Sequence, residues 1–147
     1  MADIIAVIFD FDDTLAPDST TKLLRSRGID TDRFWRKDVS ALVEQGWDAS
    51  HAWLRLLLDN VGPDKPLGEL TNADLREFGA TLDDDYFEGI PEIFDDLKSQ
   101  IAKPEFKDIE VEFYIVSGGL RDVIGRGLGS GQVLRRNLCL GTSWRGR

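Results

Sequence analysis

Two aspartates separated by a single residue, Asp10 and Asp12, directly follow the apolar run Ile4-Ile5-Ala6-Val7-Ile8-Phe9 and precede Asp13-Thr14-Leu15. On an extended strand, side chains two apart share a face, and a turn after Phe11 swings Asp12 round beside the same pocket. Two carboxylates so placed suit a nucleophile and a proton shuttle. Much later in the chain a second apolar stretch, Ile109 to Val116, ends in Ser117-Gly118-Gly119. That corner offers a hydroxyl and backbone N–H groups with no side chain in the way, at the start of a helix, which suits phosphate oxygens.

Elements must bring these two corners together. Continuous apolar residues without alternation predict that Ile4 to Phe9 is a strand buried on both faces, central in a parallel sheet. Ligands of open α/β sheets bind at the C-terminal edge, where the aspartates sit. Residues 16–85 read as helical. Trp35, Val39, Leu42 and Val43 make one stripe stopped by Gly46, and Ala49, Ala52, Trp53, Leu56 and Leu57 make another closed by Gly62-Pro63. A short helix near Asn72 to Phe78 takes Thr71 or Asn72 as its cap. Ile90, Ile93, Phe94, Leu97 and Ile101 form a further helical stripe, with Pro91 in its first turn. The second strand, Ile109 to Val116, follows, and then a short helix from Leu120 to about Arg126. Strand, helix and strand with right-handed crossovers predict a doubly wound α/β fold. Trp35 and Trp53 are expected as helical-layer core rather than a substrate platform, and Asp83-Asp84-Asp85 as a solvated hinge.

Composition narrows the partners. Of 147 residues 41% are hydrophobic and 31% charged, the profile of a folded globular domain, and the net charge is −9. Six of the 18 basic residues fall after Ser117 against one acid, Asp122, so residues 118–147 carry +5 and residues 1–117 carry −14. An acidic body repels nucleic acid and anionic membranes over a Debye length, so neither is the expected partner. No apolar run approaches the roughly 20 residues of a membrane span. The N-terminal stretch has no basic residues before its apolar run, and Cys139 is the single cysteine. A reduced, cytoplasmic setting is the expectation.

The two corners together resemble the haloacid dehalogenase-like (HAD) hydrolases. Residues Val7 to Leu15, VIFDFDDTL, are similar to the first motif, a hydrophobic strand followed by Asp-x-Asp-x-Thr-Leu, and Val111 to Gly118 to the second, a strand ending in Ser or Thr. The helical insert looks like a cap, and Ser117-Gly118-Gly119 resembles the phosphoserine-phosphatase-like branch. The resemblance implies a Rossmann-like parallel sheet built from residues 1–15 and 86–126, with a small all-helical cap over residues 16–85. It also implies Mg²⁺-dependent hydrolysis of a small phosphorylated metabolite through an aspartyl-phosphate. Asp10 is then the nucleophile and Asp12 the acid and base. Mg²⁺ lies on the Asp10 carboxylate and the Asp12 backbone carbonyl, Thr14 orders the phosphate-binding loop, and Ser117 and the Gly118 amide hold phosphoryl oxygens.

The family's third and fourth motifs, a lysine and then one or two acids, follow the second motif. Here no lysine occurs after Lys107, and Asp122 is the only acid after Ser117. Residues 127–147, GLGSGQVLRRNLCLGTSWRGR, form an atypical tail without acids. Two origins are considered, a natural short form and an out-of-frame C-terminal segment, the second being preferred. The sheet is accordingly expected to be incomplete. The alternative function is a catalytically inert fragment that binds metal or phosphate weakly.

Overall fold

In the computed structural model of the chain, residues 3–90 and 92–125 are described in full and residues 136–139 by their backbone. The chain is a mixed α/β protein with a small parallel sheet. Strand β1 (Asp3–Phe9) pairs with β2 (Ile109–Ser117), and β2 with β3 (Arg136–Cys139), in the order β1-β2-β3. Asp3 lies opposite Ile109 and Phe9 opposite Ile115, so both strands run out at one edge and the loops beginning at Asp10 and Ser117 emerge together. Pro91 and most of the C-terminal tail lie outside the described residues.

Among the described residues, helices joined by loops make up the rest, in chain order. They are α1 (Ser19–Ser26), α2 (Thr31–Arg33), a π-helical segment (Phe34–Val39) running into α3 (Ser40–Glu44), and α4 (Ala49–Asp59). Next come α5 (Asn72–Ala80), α6 (Glu92–Ile101) and, after β2, the single turn α7 (Arg121–Ile124). Side-chain caps set the starts of several. Asp18, Asp30, Asp48 and Thr71 each accept backbone N–H groups at the head of a helix, and Thr71 with Asp74 closes a reciprocal capping box on α5.

One face of the sheet holds the core. Phe113 and Ile115 of β2 are fully buried, and Phe94 of α6 packs edge-on against Phe9 at 5.5 Å and Phe113 at 5.1 Å between ring centroids. Alternation along β2 then sends Glu110, Glu112, Tyr114 and Val116 to the other side. Burial of β1 on both faces, expected from its apolar run, is not observed, while the open edge expected from the missing fourth-motif partner strand is found among the described residues. Among the described residues β1 is at the sheet edge, and Ile4 and Ile8 are 59% and 62% exposed. Its composition is that of a doubly covered strand, but only Val7 and Phe9 reach the packed cluster.

Two other packing details bear on the site. Gly79 of α5 lies so close to α7 that a Cβ there would come within 2.2 Å of the Val123 carbonyl oxygen, and Arg76 and Asp122 bridge the same helices at 2.9 Å. Lys22 of α1 is ion-paired to Asp85, which gives the acidic triplet a partner. The π-helical segment rotates the face that follows it, leaving Val43, expected in the apolar stripe, 42% exposed while Val39 is buried.

Candidate active site

The loop after β1 is wound tightly. Phe11 is wholly buried and its carbonyl accepts N–H bonds from Thr14, Leu15 and Ala16, while the Asp13 N–H returns to the Ala16 carbonyl at 2.7 Å. Asp13 adopts a left-handed backbone with φ 58°, a conformation Asp tolerates better than most residues. The turn brings Asp12 to the head of α1, where its Oδ1 accepts the Ser19 N–H at 2.7 Å, and Asp13 Oδ1 accepts the Asp18 N–H at 3.2 Å. Asp10 stays exposed and its Oδ1 accepts the Phe11 N–H at 2.7 Å.

The loop after β2 meets this turn. Ser117 is buried, its Oγ accepts the Gly119 N–H at 3.0 Å, and a Cβ built on Gly119 would lie 2.7 Å from Asp12 Oδ2. The Asp12 carboxyl is therefore seated directly against the Ser117-Gly118-Gly119 corner. At Gly118 a Cβ would meet nothing within 4 Å. The Gly119 amide is used within the turn, and α7 is one turn long, so the corner relies on local amides and the Ser117 hydroxyl rather than on a helix end.

Burial raises the Asp12 carboxyl above its ordinary value, with repulsion from Asp18 and Asp10 adding and the Ser19 hydrogen bonding opposing. A carboxyl pushed this way keeps a proton to higher pH, as a general acid needs.

Asp10, Asp12, Ser117 and Gly118 all line one open cleft of about 280 Å³. Thr14 does not; it is exposed and tied by its N–H to the Phe11 carbonyl at 3.2 Å. Sequence reasoning missed part of the lining. Trp35 and Trp53 belong to the core as expected, but they also line the cleft, with Thr20, Asp13 and Asp18. The partial signal was that both tryptophans belong to the helical segment, residues 16–85, inserted after the Asp-rich loop. Among the described residues no lysine or arginine lines the cleft. Among the described residues no group of three or more His, Cys, Asp or Glu is assembled to hold a metal, and no helix is long and apolar enough to cross a membrane.

Compared with known proteins, the chain matches no family model, no curated protein and no solved structure.

Proposed function

We propose that the cleft is a phosphoryl-transfer site of the HAD-like type, acting on the phosphate monoester of a small metabolite, with the helices of residues 16–85 serving as its cap and the sheet as a Rossmann-like core. The observation that carries this reading is the seating of a raised Asp12 carboxyl against the Ser117 turn, with Asp10 exposed in the same cleft.

The steps follow from the residue types. An Asp10 carboxylate oxygen attacks phosphorus, the bond from phosphorus to the ester oxygen breaks, and Asp12 gives its proton to that oxygen. Asp12, now ionised, takes a proton from a water, whose oxygen attacks phosphorus and frees the Asp10 carboxylate. The Ser117 hydroxyl and Gly118 amide hold the equatorial oxygens as charge shifts among them. Mg²⁺ suits the donors available, since the Asp10 carboxylate and the Asp12 main-chain carbonyl are hard oxygens and this ion retains several waters beside one or two carboxylates. When bound it would neutralise phosphoryl charge.

The acidic lining favours a second reading, an inert site that binds Mg²⁺ or phosphate without turnover. Among the described residues no basic side chain lines the cleft, and loss of one preorganised electrostatic group costs about 10²-fold or more in rate. Turnover of p-nitrophenyl phosphate by the 147-residue chain is accordingly expected close to background. The deciding experiment is trapping with beryllium fluoride and Mg²⁺, located by NMR. An adduct on Asp10, absent in Asp10→Asn, supports the phosphatase reading. An adduct on another residue refutes it, and Mg²⁺ binding with no adduct supports the inert one.

A further inference from the structure

Two tryptophans line the cleft beside the carboxylates and are held in place. The Trp35 and Trp53 rings have centroids 6.3 Å apart and planes tilted by 59°, and Phe34 abuts Trp35 edge-on at 5.0 Å. Trp53 is 8% exposed, packed in the core beneath. Trp35 is anchored by its indole N–H, which donates to Thr21 Oγ1 at 2.7 Å, and that hydroxyl donates to Asp18 Oδ2 at 2.6 Å. Asp18 also caps α1 through the Thr21 N–H. The orientation of the indole is thus wired to the same loop that carries Asp12 and Asp13. Trp35 lies in the π-helical segment, and Ser40 Oγ donates to its carbonyl at 3.1 Å. Such segments recur at functional sites.

Among the described residues every charged group lining the cleft is an aspartate. A carboxylate or second phosphate on the substrate would be repelled by these four carboxyls. A cation within about 6 Å of an indole centroid is attracted by the ring face, and two tilted rings at this spacing can both contact one ammonium group. Asp13 and Asp18 supply the long-range attraction.

We propose that Trp35 and Trp53 form a subsite for an organic ammonium, so that the alcohol portion of the substrate carries an alkylammonium group and no carboxylate. The substrate assignment rests on the phosphatase reading; the ammonium subsite itself does not.

The test separates the two. The 147-residue chain is titrated with choline and with its neutral isostere 3,3-dimethylbutan-1-ol at constant ionic strength, following the indole N–H signals by NMR. Choline is expected to bind about tenfold tighter and to shift the Trp35 and Trp53 signals. Trp35→Leu should lose this preference and Trp35→Phe should keep part of it, which holds the test if the leucine variant fails to fold. Equal affinities, or shifts confined to Trp47 and Trp144, overturn the subsite. A kinetic arm compares phosphocholine with 3,3-dimethylbutyl phosphate, and phosphoethanolamine with phosphoserine. Choline preference without turnover of any ester keeps the subsite and favours the inert reading of the carboxylate site. Turnover with no preference for the ammonium esters, or faster turnover of phosphoserine, sinks the subsite and keeps the phosphatase.

Discussion

Gly119→Ala tests whether the two strand-end loops meet as described. Its backbone is outside the left-handed region, so alanine carries no conformational penalty there and the effect is purely steric. The new methyl would lie 2.7 Å from Asp12 Oδ2, 2.9 Å from Ile124 Cδ1 and 3.4 Å from Ser117 Oγ. Carbon and oxygen pack comfortably no closer than about 3.3 Å, so the carboxyl must retreat by roughly half an ångström or more. It retreats against its bond to the Ser19 amide at 2.7 Å, and hydrogen bonds to charged groups are worth ~1.5–3 kcal/mol. Overpacking against Ile124 costs in the same range, ~1–3 kcal/mol. Gly119→Ala should therefore lose about 1–3 kcal/mol in urea unfolding and alter the titration of the Asp12 carboxyl carbon followed by NMR. Gly118→Ala is the control, because a Cβ there meets nothing within 4 Å. Equal stability and unchanged Asp12 titration in both variants would refute the juxtaposition of the loops.

Asp12→Asn should raise the melting temperature at pH 7. Burial disfavours the ionised carboxylate in the fold, so ionisation weakens the native state above the raised pKa and the penalty disappears as pH falls toward the unfolded value. The advantage of asparagine should thus shrink between neutral and acid pH in thermal scans, and an advantage that grows on acidification would contradict the assigned cause. Gly79→Ala should destabilise by ~1–3 kcal/mol or more, since its methyl meets backbone of α7 that cannot rotate away; calorimetry measures this. Ile8→Thr, on the exposed face of β1, should cost within about 0.5 kcal/mol, whereas Phe113→Ala in the core should cost ~3–5 kcal/mol. Comparable losses in urea unfolding would mean that β1 is as buried as β2.

Local chemistry made much of this legible in the sequence. Ile109 to Val116 announces a strand, Thr71 and Asp74 announce the start of α5, and the aspartates after Phe9 mark a polar strand end, because strand preference, capping and turn formation depend on neighbours a few residues away. The covering of each face is not local. Nothing in Ile4-Ile5-Ala6-Val7-Ile8-Phe9 says whether a second layer lies over it, and only the position of α6 on one side decides that Phe9 is packed while Ile8 is open. The aspartate and serine corners were each readable, but their contact depends on the parallel register of β1 and β2, and the raised Asp12 carboxyl on the desolvation that contact brings. The cleft walls were the least readable. A tryptophan on an apolar helical stripe reads as core, and whether one of its faces also opens to solvent is set by helices folding back over the strand ends, here through the Trp35, Thr21 and Asp18 hydrogen bonds.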